Sequence, residues 1–186
     1  GDRVYDPLMG RGTTVLEAAL LGRLAAGCDV NPLSAVLVQP RLQPPTMAQV
    51  EQRLAELPLD NQADCPDDLL VFYHPNTLKE IVSLRAYLLE REATGKLDAI
   101  DRWIRMVAVN RLTGHSTGFF SVYTLPPNQA VSVEGQRKIN AKREQVPTRR
   151  DVRRIIATKT ASLLSSCDAE TRTRLAAYAD QAIVLT

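Results

Sequence analysis

The chain has 186 residues, 45% of them hydrophobic and 24% charged, enough apolar material for one compact core and too much for a disordered segment. Its formal net charge of +2 neither demands nor excludes a nucleic-acid partner. Cys28, Cys65 and Cys167 are far apart and never in C-x-x-C pairs, which argues against a disulfide framework or a structural zinc site and favours a reducing, cytoplasmic setting.

No apolar run approaches the roughly 20 residues that a membrane span needs, and no signal peptide opens the chain. The sequence begins on a strand-like stretch, residues 1–6, and stops on another, Ala182 to Thr186. It therefore reads as a piece of a longer polypeptide. Thr13 to Leu21 predicts a largely buried helix stopped by Gly22. Ala25 to Val30 predicts a short apolar strand, so the first 30 or so residues form a parallel β-α-β unit. A Pro-initiated helical turn follows at Pro32 and continues towards Leu42.

Helical spacing of apolar residues then predicts helices over Thr46 to Leu57, Asn76 to Glu92 and Asp98 to Leu112, with Trp103 in the core. The polar stretch 60–68 reads as a loop. His74 before Pro75 marks a helix start. Residues 113–136 break the helical rhythm with glycines and prolines around Phe119, Phe120 and Tyr123, and long irregular segments are often functional. The stretch from Asn110 to Ser116 with Phe119, Phe120 and Tyr123 could line a base pocket or DNA cleft, but Phe119 and Phe120 are expected rather as core anchors and His115 as a turn residue. Asn128 and Gln129 are candidates for reading base edges. A short helix over Ser132 to Lys142 is predicted. Another should be opened by Thr148, with Asp151 completing a weak capping box, and should run to about Leu164. Thr171 to Ala179 is a last helix and Ala182 to Leu185 a buried strand.

The most informative segment is Asp6-Pro7-Leu8-Met9-Gly10-Arg11-Gly12-Thr13-Thr14, which follows a strand and opens a helix. Gly10 and Gly12 let backbone approach a ligand, and the helix start offers free N–H groups. Asp29 ends the next strand, where a carboxylate can take the two hydroxyls of a ribose. This is the layout of an adenosine-ligand site. It is neither the dinucleotide fingerprint, because Val15 stands three residues after Gly12, nor a Walker loop, because no lysine follows the glycines.

Asp-Pro-Leu-Met-Gly-Arg-Gly-Thr-Thr, with Gly1-Asp2-x-Val4 before it, resembles the cofactor motif D-P-F-x-G-x-G-T-T of amino-DNA methyltransferases. Gly22-Arg23…Gly27-x-Asp29-x-Asn31-Pro32 is similar to their second cofactor motif. The match covers residues 1 to about 35; Leu8 departs from the usual Phe. The resemblance implies S-adenosylmethionine as cofactor and an exocyclic amino group of adenine or cytosine in DNA as acceptor. It implies that Asp6, Pro7, Leu8 and the Gly10–Gly12 turn lie along the methionine part, and that Thr13 and Thr14 cap the helix and bond the cofactor carboxylate. It also implies that Asp29 holds the ribose and Val30 packs on the adenine. Asn31 either orients the loop or serves the Asn-Pro turn.

Such enzymes carry out transfer with a [DNS]-P-P-[YFW] motif that holds the flipped base. The two Pro-Pro pairs here read Gln-Pro-Pro-Thr at 43–46 and Leu-Pro-Pro-Asn at 125–128, and neither qualifies. No catalytic residue is assigned, and transfer by this chain alone is not expected. The fold class implied is α/β, part of a Rossmann-like methyltransferase sheet with a large, mainly helical insertion. Its domains would be the cofactor-binding residues 1–42, the insertion 43–181 and a returning strand 182–186. Residues 137–159 carry nine Lys or Arg against Glu144 and Asp151. Arg149, Arg150, Arg153 and Arg154 are the candidates for contact with DNA phosphates. The expected partners are DNA and the remaining parts of the parent polypeptide. Two alternatives stand beside this reading: an RNA or protein methyltransferase, and a non-catalytic nucleic-acid-binding module with a degenerate cofactor fold.

Overall fold

The computed structural model describes residues 2–59, 65–126, 129–179 and 181–186, with every side chain among them except that of Ile183. The fold is α/β. β1 (Arg3–Asp6) turns into α1 (Thr13–Leu20), which leads back to β2 (Leu24–Cys28). Then come α2 (Leu33–Leu42), α3 (Met47–Glu56), a 3-10 turn (Asp67–Val71) and α4 (Pro75–Ala93). α5 (Ala99–Val109), α6 (Val133–Lys142), α7 (Val152–Leu164) and α8 (Ala169–Ala179) precede β3 (Ile183–Leu185). Residues 60–64 of the expected 60–68 loop, Gly1 of the first strand, and Asn128 lie outside the described residues.

The chain divides into two compact units. One holds residues 1–49, 98–106 and 161–186, the other residues 50–97 and 107–160.

The first unit carries the sheet. All three strands are parallel, in the order β1-β2-β3. Val4 stands opposite Ala25 and Asp6 opposite Gly27, while Cys28 stands opposite Leu185. A parallel pair needs a crossover, and α1 supplies it: Val15, Ala18 and Ala19 are buried in a core with Met9, Ala25, Val38, Leu42 and Leu175. Gly27 lets this layer close. A Cβ there would stand 2.7 Å from Val15 Cγ2 and 2.8 Å from Met9 Sδ, so helix and loop lie directly on β2 only because that position has no side chain. The opposite face of the sheet is partly exposed among the described residues. Tyr5 is 64% and Leu185 60% exposed, whereas parallel sheets are normally covered on both faces.

The second unit is helical. His74 caps α4 by accepting a hydrogen bond from the Asn76 amide through Nδ1, with Pro75 in the first turn. Leu78, Leu84 and Leu88 of α4 and Val152, Ile155 and Ile156 of α7 are buried. Thr77 Oγ1 donates to the Arg150 carbonyl at 2.9 Å and accepts from its amide at 2.8 Å. α7 starts at Val152, not at Thr148 as the sequence predicts. Asp151 Oδ1 accepts from the Arg154 amide at 2.9 Å and Glu80 Oε2 takes the Val152 amide at 3.1 Å. These carboxylates satisfy the first free N–H groups of the helix. The irregular segment 113–126 forms an isolated bridge, Gly114 to Tyr123, and buries Phe119 and Phe120. Its carbonyl at Tyr123 accepts from two amides at 2.9 Å each, those of Gln136 and Gln145.

Candidate cofactor-binding site

The loop between β1 and α1 is built from a few local bonds. Asp6 Oδ1 accepts from the Leu8 amide at 3.1 Å, and the Met9 amide donates to the Cys28 carbonyl at 3.0 Å. The chain therefore folds over the C-terminal end of β2 before entering the glycine turn. Gly10 and Gly12 both adopt positive φ, 50° and 76°. A Cβ on Gly12 would run into the Val38 side chain, while one on Gly10 would meet nothing within 4 Å. Gly12 is thus required both by backbone conformation and by close approach to α2, Gly10 by conformation alone.

Asp29 closes the arrangement from the other side. Its Oδ2 accepts from the Gly10 amide at 2.8 Å and its Oδ1 from the Asn31 amide at 2.9 Å. The Asn31 amide, the Gly10 amide and the Ser34 hydroxyl together hold this carboxyl below the ordinary aspartate range. An ionised carboxylate has about four lone-pair positions, so these three donors leave one acceptor position open. The Asp29 amide itself donates to the Leu185 carbonyl at 3.1 Å, which ties the residue to β3 as well.

Leu8 is 76% and Val30 94% exposed. Two large apolar side chains stand in solvent on the two chain segments that Asp29 joins. Asn31 does structural work: its Oδ1 accepts from the Leu33 amide at 3.0 Å, an Asx turn that opens α2. Thr13 and Thr14 do not cap α1. The N-cap is Gly12, with no side-chain cap bond, and both threonines sit exposed in the first turn. A threonine inside the first turn has already adopted helical backbone, so its hydroxyl is not in the cap position.

Asp6, Pro7, Leu8, Gly10, Gly12, Asp29, Val30 and Asn31 thus all belong to one pair of interlocked loops at the C-terminal ends of β1 and β2. Sequence reading missed Ser34 and Cys28. The Cys28 thiol donates to the Pro7 carbonyl at 3.3 Å and lies 3.2 Å from the Tyr5 hydroxyl. It also missed Arg41, whose Nη1 donates to the Arg11 carbonyl at 3.2 Å. Ser34 lay five residues beyond Asp29 with nothing in its type to mark it.

The four arginines of the second unit have different surroundings. Arg153 Nε and Nη2 donate to the carbonyls of Leu54 and Leu57 at 2.8 and 2.6 Å, at the end of α3. Arg149 pairs with Glu80 at 3.6 Å and stays 67% exposed. The Arg150 backbone is held by Thr77 and its Nε is buried without a hydrogen-bond partner. Arg154 is exposed.

No family model and no solved structure matches this chain. Among curated proteins, a stretch of 77 residues, 41% of the chain, is 26% identical to the type II methyltransferase M.MvaI of Kocuria varians. The chain spans 16% of that protein's length. Its α/β fold with a small parallel sheet accompanies a similarity, confined to that stretch, to a methyltransferase.

Proposed function

We propose that this chain is the cofactor-binding part of an S-adenosylmethionine-dependent DNA methyltransferase acting on an exocyclic amino group of adenine or cytosine. The observation that carries the reading is the Asp29 carboxylate, fixed by the amides of Gly10 and Asn31 at the ends of two parallel strands. Its remaining acceptor position suits a ribose hydroxyl. The exposed Val30 and Leu8 suit the flat face of adenine and the apolar part of the methionine chain. A Cβ on Gly10 would meet nothing within 4 Å, so the turn borders open space.

S-adenosylmethionine would supply an electrophilic methyl group on a sulfonium cation. The chain's part is to bind and orient. Asp29 anchors the ribose, Gly10 and Gly12 hold the loop along the amino-acid portion, and the first-turn amides of α1 at Thr13 and Thr14 face a carboxylate. Asp6 and Asp29 place negative charge beside a cationic cofactor. The sequence holds no [DNS]-P-P-[YFW] motif, so the groups that would orient the acceptor amine come from elsewhere in the parent polypeptide. The partly exposed face of the sheet is the surface on which we propose those parts pack. DNA contact is proposed through the basic stretch of the second unit, chiefly the exposed Arg149 and Arg154, with Arg150 and Arg153 in support.

Calorimetric titration of S-adenosylmethionine into the wild type and into Asp29→Ala tests the reading. Loss of binding in the variant, with circular dichroism unchanged, is expected. Equal affinity in the two proteins overturns it.

A further inference from the structure

The first unit contains a cavity of about 460 Å³ whose lining includes none of residues 6–14 or 29–31. Leu16 and Leu20 of α1, Trp103 of α5 and Leu175 of α8 give it an apolar lining, and Arg41 and Thr171 contribute polar groups. The volume falls in the range of small-molecule sites, which are apolar with a few fixed polar groups.

Arg41 is the unusual member. It is half-buried, and burial, reinforced by the neighbouring Arg11 charge, lowers its pKa. Among the described residues neither Arg41 nor Arg11 has a carboxylate within 4 Å. Among the described residues the Arg41 side chain donates one hydrogen bond, to a neutral acceptor, the Arg11 carbonyl. A guanidinium partly removed from water, next to a like charge and without a counter-ion, is unfavourable. It carries five donors in a planar fork that matches an anionic oxygen pair.

We propose that this cavity binds an amphipathic carboxylate, with its anionic head on Arg41 and its apolar body between α1, α5 and α8. Charge complementarity selects the head, since Arg41 lines the cavity and no acidic residue does. The lining selects the body. The proposal does not require the methyltransferase reading: Arg41 touches the glycine turn only through the Arg11 carbonyl, and none of the lining residues contacts Asp29.

Trp103 is the chain's single tryptophan and lines the cavity, so its fluorescence reports occupancy directly. Decanoate is titrated into the whole chain, with decanol as the uncharged counterpart, and both are repeated on Arg41→Gln and Arg41→Lys. A saturable change in Trp103 emission with decanoate is expected, together with a preference over decanol. Arg41→Gln should weaken decanoate about tenfold or more, the scale of a charge-assisted hydrogen bond, and leave decanol unchanged. Arg41→Lys should retain part of the preference. Absence of a saturable response overturns the proposal, as does equal affinity of the wild type for decanoate and decanol. That last comparison needs no variant, so it decides even if Arg41→Gln fails to fold.

Discussion

The Oδ2 atom of Asp29 accepts the Gly10 amide at 2.8 Å across a gap of 19 residues, so the end of one strand holds the loop after its neighbour. Removing the carboxylate should loosen the loop and the ligand together. Asp29→Asn keeps an acceptor oxygen but loses the charge. It should weaken S-adenosylmethionine by about tenfold, and Asp29→Ala by about a hundredfold, on the scale of hydrogen bonds to charged groups. Calorimetry at fixed pH checks both.

The same contacts set a pH dependence. The folded-state pKa of Asp29 is depressed by the amides of Asn31 and Gly10 and by Ser34. The sign for a depressed carboxyl is fixed: its stabilising share is fully present above the unfolded-state pKa and is lost as pH falls through the folded-state value. Unfolding free energy should therefore fall more steeply with acid in the wild type than in Asp29→Asn, with the difference developing below the ordinary aspartate range. Urea titrations across that range measure it.

Gly12 and Gly10 should separate backbone conformation from packing. Gly10→Ala meets open space and carries only the left-handed penalty, about 1 kcal/mol. Gly12→Ala adds a collision with Val38 and should destabilise by about 3 kcal/mol. Denaturant midpoints of the two variants give the comparison, and equal losses would contradict the close approach of α1 to α2.

Arginines in the basic stretch should behave differently in two assays. Arg153→Ala removes donors from the Leu54 and Leu57 carbonyls and should destabilise by about 2 kcal/mol. Arg154→Ala, on an exposed side chain, should stay within about 0.5 kcal/mol. In DNA binding the order reverses. Replacing Arg149 and Arg154 by Gln should lower affinity and flatten the salt dependence by about 0.9 per lost phosphate contact. A flat response would return these side chains to solvent.

Gln136 and Gln145 donate to the same two acceptors, the Tyr123 carbonyl and Asn140 Oδ1. Either substitution to Leu leaves the other donor in place. The double variant should lose about 1 to 2 kcal/mol more than the sum of the singles, a coupling a double-mutant cycle in urea reads directly.

The β1–α1–β2 unit was legible in the sequence because its signals are local. Asp6-Pro7, the glycine pair and the apolar run of α1 lie within 15 residues, and Asp29 ends the next apolar stretch. Bonds between distant residues carried no such mark. Arg41 reaches the Arg11 carbonyl across 30 residues, and Arg153 reaches Leu54 across 99. A run of arginines shows charge but not which guanidinium turns inward. The start of α7 was misread by four residues for a related reason: Thr148 has a plausible capping pattern, yet Asp151 and the distant Glu80 satisfy the amides one turn later. The Asx turn of Asn31 on the Leu33 amide follows from the Asn-Pro pair, which is again a local signal.

Among the described residues β1 pairs with β2 along one side only. Its other side presents the free main-chain donors and acceptors of Arg3 to Asp6, next to the uncovered aromatic ring of Tyr5. Such a strand is a template for another strand. Handled by itself, this chain will tend to stack on its own copies through that rim, and dilution or a competing strand-forming peptide should keep it monodisperse.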